Sequence, residues 1–273
     1  MISMMIRGHT ISSMHLWAIS LLLIISAVSS YTLGIIPYSM LIAIAAALAT
    51  EIALVKFYLR AKLKLPLSAI ITGLLIGMIA PQNAPALLVI TASFVAVLSK
   101  FIVKVKHNPV FNPAALGLII ALVAFHTGDV WWASSSYNLS GTIISLAPLL
   151  AVAAYLSRRI TAGLTFIIAS IIIGIIMSGS LSLSASGLIS AIFSANYLFG
   201  MIMVGDPKTS PISNRGQVAY GIIISALLFA AGYSGIPYPF LISLLAANLI
   251  FMLYRNRHFI FRHVPLHPSR AAQ

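Results

Sequence analysis

Two stretches of this sequence, His107 to Gly117 and Gly205 to Gly221, gather polar side chains and prolines in a pattern that could do chemistry. Each carries a polar-proline pair and a second pair four residues on: Asn108-Pro109 with Asn112-Pro113, and Asp206-Pro207 with Ser210-Pro211. The residue before a proline is pushed out of the helical region and the proline lacks an N–H, so the backbone opens twice within about one turn. The amides and carbonyls freed in this way need partners. An Asn or Asp ahead of Pro is also an ordinary helix cap with proline at the first helical position, so capping is the competing account of each pair. The side chains expected to meet in one pocket are Asn108, Asn112, Asp206, Lys208, Ser210 and Asn214. A helix amino terminus beside Lys208, Arg215 and the cluster Lys100, Lys104 and Lys106 would favour an anion such as phosphate, or an electron-rich carbonyl edge.

Only three residues are acidic. Glu51 lies inside a long apolar run, where a charge is expensive and faces a cavity or a partner, so it is the default site for a proton or sodium ion. Snorkelling towards the near end of its run, or pairing with Lys56, is the alternative. Asp206 would cap a helix or hold Lys208 or Arg215, and Asp129 would be solvated. No pair of carboxylates suggests hydrolysis, and there is no phosphate-cradling loop, dinucleotide fingerprint or nucleophile elbow. The chain has no Cys, which excludes disulfides, thiolate metal sites and Cys-ligated iron–sulfur clusters. Of seven His, His107 and His126 bracket one apolar segment, a spacing along a single helix that cannot ligate one haem, so haem is not expected. His258, His263 and His267 read as part of a basic interfacial tail, not a metal site.

The elements that must position these residues are apolar. Sixty per cent of the 273 residues are hydrophobic and 7% charged, which a water-exposed surface does not tolerate. Runs of spanning length fall at about 15–35, 38–59, 66–80, 84–99, 110–126, 141–157, 160–178, 187–204, 218–234 and 238–254. The first is read as a helix and not as a cleaved signal peptide. With the amino terminus in the cytoplasm, alternate counting puts all sixteen Lys and Arg on the inner side. The expected protein is therefore an all-α integral membrane bundle of about ten transmembrane helices in a cell (plasma) membrane, with both termini cytoplasmic. One domain is expected: a cytoplasmic stretch 1–14, a bundle 15–254 and a basic tail 255–273. The formal charge of +13 is topological, so membrane lipid and not nucleic acid is the partner it implies. Trp131 and Trp132 would anchor the outer interface, and Gly73, Gly77, Gly117, Gly163 and Gly174 would let helices approach closely. Ten spans divide into two halves of five, and an odd number per half forces inversion.

Phe199 to Ser225, "FGMIMVGDPKTSPISNRGQVAYGIIIS", resembles the signature near the end of the RnfD membrane subunits of Rnf complexes and the NqrB membrane subunits of sodium-pumping NADH:quinone reductases. There an apolar helix runs into Thr-Asp-Pro, a Ser-containing loop, a basic-Gly turn and a Tyr-Gly opening the next helix. Asn108 to Phe125, "NPVFNPAALGLIIALVAF", is similar to that family's Asn-Pro-Ala segment, and the match in order and hydropathy covers roughly positions 60–255. The resemblance implies a ten-helix, urea-transporter-like fold of two inverted five-helix repeats. It also implies bound flavin that passes electrons across the membrane in a redox complex coupled to ion movement. The other subunits of that complex, or a flavoprotein, would be partners.

Departures from the family pattern narrow the expectation. Members with covalent FMN carry a threonine in an Asp-x-x-Ser-Gly-Ala-Thr motif. Here Asp129 and Ser140-Gly141-Thr142 lack the alanine and the spacing, so FMN or riboflavin is expected to be non-covalent, with Thr142 the position a covalent link would use. Gly205 stands where the family has threonine before Asp-Pro, and the chain reads as a short or stand-alone relative. Two functions stay open: a flavin-binding electron carrier, and a small-solute channel or transporter of the same fold without redox chemistry.

Overall fold

The computed structural model describes residues 3–6, 9–60, 65–105, 108–133, 150–152, 154–155, 157–177 and 196–261. Two short strands, β1 (Ser3–Ile6) and β2 (His9–Ser12), pair antiparallel and lead into α1 (Ser13–Leu33). Then follow α2 (Tyr38–Ala53), prolonged by a π-helical turn Leu54–Tyr58, and α3 (Leu67–Ile79) and α4 (Ala86–Ile102). A two-residue ladder joins β3 (Lys104–Val105) to β4 (Asn108–Pro109) ahead of α5 (Pro113–Ala124). The second part holds α6 (Ile160–Met177), a π-helical segment Phe199–Val204, α7 (Asn214–Tyr233) and α8 (Pro239–Phe261).

Among the described residues, five stretches are long and apolar enough to cross a membrane: His15–Leu33, Tyr38–Tyr58, Ile160–Met177, Asn214–Tyr233 and Pro239–Asn256. Their outward Leu, Ile, Phe and Tyr side chains are exposed, as a lipid-facing surface requires, while backbone groups are satisfied inside the helices. The protein is an all-α membrane protein. The expected spans 141–157 and 187–204 fall partly outside the described residues.

Two expected spans are shorter than their hydropathy suggests. Helix α3 has 13 residues and α5 has 12, which at 1.5 Å per residue reach only about 20 Å against a hydrocarbon core of about 30 Å. Helix α3 is buried on nearly every side, packed by α1, α2 and α4, so it is a core helix and has little lipid to meet. Close approach makes this possible. A methyl group built on Gly77 would stand 2.2 Å from Cα of Met40 in α2, and one on Gly117 would stand 2.2 Å from the carbonyl oxygen of Ala92 in α4.

A short buried helix leaves its last carbonyls without partners. The chain after α5 supplies them. Val130 and Trp131 donate their N–H groups to Ile79 O at 3.0 and 3.2 Å, and the Trp132 indole N–H donates to Gly77 O at 2.7 Å. This corrects the expectation for both tryptophans: they are 5% and 2% exposed, and Trp131 packs its ring against Phe199 and Phe240. They close the end of α3 and do not form an interfacial belt. The Asp129 carboxylate accepts from the Trp131 indole and is likewise not simply solvated.

The two parts of the chain share a local arrangement. Ser93 on α4 donates its hydroxyl to Ala43 O on α2 at 3.0 Å, and Ser225 on α7 donates to Phe166 O on α6 at 3.0 Å. In each case a buried serine ties a helix to the one two positions earlier in the expected order.

Candidate functional site

The starts of α1, α3 and α5, the end of α4 and the loop before α7 converge at one end of the bundle around a cavity of about 320 Å³. Its walls are apolar: Trp17, Ala18, Leu21 and Leu22 of α1, Ile71 and Leu75 of α3, Ala114 of α5, and Met201 and Ile202 of the π-helical segment. Its polar groups are Asn108, Asn112, Asp206 and Lys208 from the two motifs, with His15, Ser68, Thr72, Lys100 and Ser157. Its volume lies at the lower end of small-molecule sites, and apolar walls with a few convergent polar groups are their usual make-up.

Asn112 is buried and is the N-cap of α5: its Oδ1 accepts from the Ala115 N–H at 3.1 Å, with Pro113 at the first helical position. Capping, the competing account, therefore holds for this pair, and it leaves the other end of the amide available. Asn112 Nδ2 donates to Asp206 Oδ2 at 3.4 Å, joining segments 94 residues apart. Asp206 caps its own loop and not a helix. Its carboxylate accepts from the Lys208 N–H at 3.1 Å and from the Thr209 hydroxyl at 3.1 Å, so it holds the backbone of Lys208 and leaves that ammonium exposed. The π-helical turn before Gly205 sets up this loop, a distortion that recurs at functional sites.

Behind the loop lies Arg159, 7% exposed. Its Nε donates to Ser210 Oγ at 3.0 Å and its Nη groups to Arg158 O at 3.0 Å and Pro207 O at 3.5 Å. Burial lowers its proton affinity from the ordinary arginine value, and the Asp206 charge opposes that. Arginine stays charged under such shifts. Ser210 donates its hydroxyl to Asp206 O at 2.6 Å, so it supports the loop without lining the cavity. Asn214 is exposed at the first position of α7, where Ser213 is the cap that accepts the Gly216 N–H, and it does not line the cavity. Thr142 lies outside the described residues.

Glu51 is paired, and with a different lysine from the one its sequence neighbourhood offers. Its Oε2 lies 3.3 Å from Lys100 Nζ, while Lys56 sits over the Phe57 ring. The residues missed by motif reading are His15, Trp17, Ser68 and Arg159. Arg159 alone carried a signal, as a charge beside Arg158 at the foot of an apolar run, and that signal was topological. Among the described residues no three or more His, Cys, Asp or Glu stand together as metal ligands.

Fold and site together define a multi-helix membrane protein with an apolar, polar-ended cavity at one end of its bundle. The NQR2, RnfD, RnfE family model matches residues 3–138. The chain is 26% identical to the D subunit of the ion-translocating oxidoreductase complex of Cellvibrio japonicus (strain Ueda107), over 68% of this chain and 69% of that protein. It is 39% identical to the protein of the same name from Cronobacter sakazakii (strain ATCC BAA-894), over 34% of this chain and 27% of that one. The chain is thus similar to the NQR2, RnfD, RnfE family over its first half and is RnfD-like.

Proposed function

We propose that this protein is the membrane subunit of an Rnf/NQR-type, ion-translocating electron transport system, and that it holds a flavin in the cavity and passes electrons across the membrane. The observation that carries the reading is the Asn112–Asp206 contact, which brings the two family-like motifs to one wall of one cavity. The residues suit an isoalloxazine. Leu22, Ile71, Leu75 and Met201 offer apolar surface for the ring. The second N–H of the Asn112 amide and the Lys208 ammonium are donors for its carbonyl edge. A bound flavin, FMN or riboflavin, supplies reversible electron transfer. The protein's part is to exclude water from the ring, orient its edge against Asn112, and hold the loop that carries Asp206.

The flavin is non-covalent, and the other subunits of a redox complex, or a flavoprotein, hand it electrons. The protein lies in the plasma membrane with both termini and the cavity on the cytoplasmic side, where alternate counting places its cations. Its architecture is ten helices in two inverted repeats. The matched bonds Ser93 to Ala43 and Ser225 to Phe166 support this, since each relates the same pair of helices in its half.

Reconstitution into liposomes enclosing an electron acceptor tests the reading. Reduction of the enclosed acceptor by an external donor, lost with Asp206→Ala, is the expected result. Solute flux without electron transfer would instead assign the same cavity to a channel or transporter.

A further inference from the structure

Lys100 is shared between the cavity and a carboxylate that the cavity does not touch. Its Nζ has three N–H groups and three acceptors: Glu51 Oε2 at 3.3 Å, Ser68 O at 3.1 Å and Ser68 Oγ at 3.2 Å. The Ser68 hydroxyl gives its own proton towards Glu51, at 3.3 Å from Oε2 and 3.5 Å from Oε1. Both charged side chains are nearly enclosed, 13% exposed for Lys100 and 14% for Glu51. Lys100 and Ser68 line the cavity and Glu51 stands behind them. Three other charged or titratable side chains face the same space: His15 of α1, and Asp206 and Lys208 of the loop before α7. Asp206 accepts from Asn112, the Lys208 N–H and Thr209, and its charge acts on Lys100 from across the cavity.

We propose that the cavity has an anion subsite at Lys100 and that Glu51 is its positioning residue, competing with the ligand's anionic group for the one ammonium. With Glu51 ionised, the pair is neutral and a ligand without charge is preferred. An anion that draws Nζ into the cavity leaves the carboxylate enclosed, with Ser68 as its remaining donor. Removing the Glu51 charge therefore frees the ammonium for an anionic ligand and leaves the affinity for a neutral one unchanged, and no covalent bond in the ligand changes. This rests on the cavity being the flavin site, and it predicts how that site tells a phosphorylated flavin from one without phosphate.

FMN and riboflavin differ only in that phosphate, and their binding to the purified full chain is followed by quenching of flavin fluorescence near neutral pH. Glu51→Gln should bind FMN about tenfold tighter than the wild type near neutral pH, the worth of one charge-assisted hydrogen bond. Lys100→Met should bind FMN more weakly relative to riboflavin than the wild type does, and circular dichroism reports that both variants fold. If Lys100→Met does not accumulate, the double variant Glu51→Gln/Lys100→Met, which removes both charges together, takes its place with the same expectation. Wild-type FMN affinity in Glu51→Gln, or an FMN-to-riboflavin affinity ratio unchanged without Lys100, overturns the proposal. If the wild type binds neither flavin, the flavin reading fails, and the subsite is decided by the thermal stabilisation that inorganic phosphate gives. Stabilisation that is larger in Glu51→Gln and smaller in Lys100→Met than in the wild type upholds the subsite; equal stabilisation in all variants overturns it.

Discussion

Replacing Arg159 by Met should loosen the loop that carries Asp206 without unfolding the bundle. Three bonds are lost, and their partners decide the size of the effect. Ser210 Oγ keeps its bond to Asp206 O, and Arg158 O keeps the Gln217 amide at 3.2 Å, so neither is orphaned. The bond to Pro207 O is long, at 3.5 Å, and Pro207 is exposed, so water replaces the guanidinium there. Hydrogen bonds from a charged donor are worth about 1.5–3 kcal/mol. Relief of the buried charge offsets part of that, leaving a net cost of roughly 1–2 kcal/mol. Confined to the loop, this speeds exchange of the Lys208 and Ser210 amides, which donate to Asp206, by about tenfold. Hydrogen exchange read by mass spectrometry on detergent-purified protein measures it, and tryptic cleavage after Lys208 gives a second readout. Arg159→Lys keeps the charge but not the fork and should fall between the two. Unchanged exchange in Arg159→Met, or a lower melting temperature with loop exchange unaltered, would refute the reasoning.

Two further outcomes follow from the same geometry. Asn112→Ala should lower stability by about 1 kcal/mol through loss of the α5 cap, and Asn112→Ser should restore the stability but not the reach to Asp206, so thermal unfolding and flavin content separate the two roles. Trp132→Phe should cost about 1–3 kcal/mol in thermal unfolding because Gly77 O loses its indole donor at the end of α3, whereas loss of an interfacial anchor would leave the midpoint nearly unchanged.

The cavity was legible where chemistry is local. Two polar-proline pairs within a turn announce an opened backbone, and Asn112 and Asp206 meet as that pattern suggested. Asn214 does not join them, because a polar residue after such a loop is as readily the first exposed position of a helix, and Ser213 took the cap. The Lys100–Glu51 pair was hidden by distance: its members are 49 residues apart, and Lys56 was the nearer cation in sequence. Hydropathy overstated α3 and α5, since it records where apolar residues lie and not where proline and the chain after α5 end a helix. The tryptophans were misread for a related reason. Their interfacial preference is an average over many proteins, while here a short core helix needed donors for its last carbonyls. Arg159 was counted as one of sixteen charges that fix orientation, and burial gives it a structural task as well.

The central claim is that the cavity between α1, α3 and the Asp206 loop binds flavin without a covalent link. The visible absorption spectrum of the detergent-purified protein from a flavin-replete strain tests it, followed by denaturing electrophoresis under ultraviolet light. Flavin bands in the native protein, with no fluorescence retained in the gel band and the bands lost in a variant that fills the cavity, Ala114→Trp, are the predicted result. A colourless protein, or a fluorescent gel band, would contradict it.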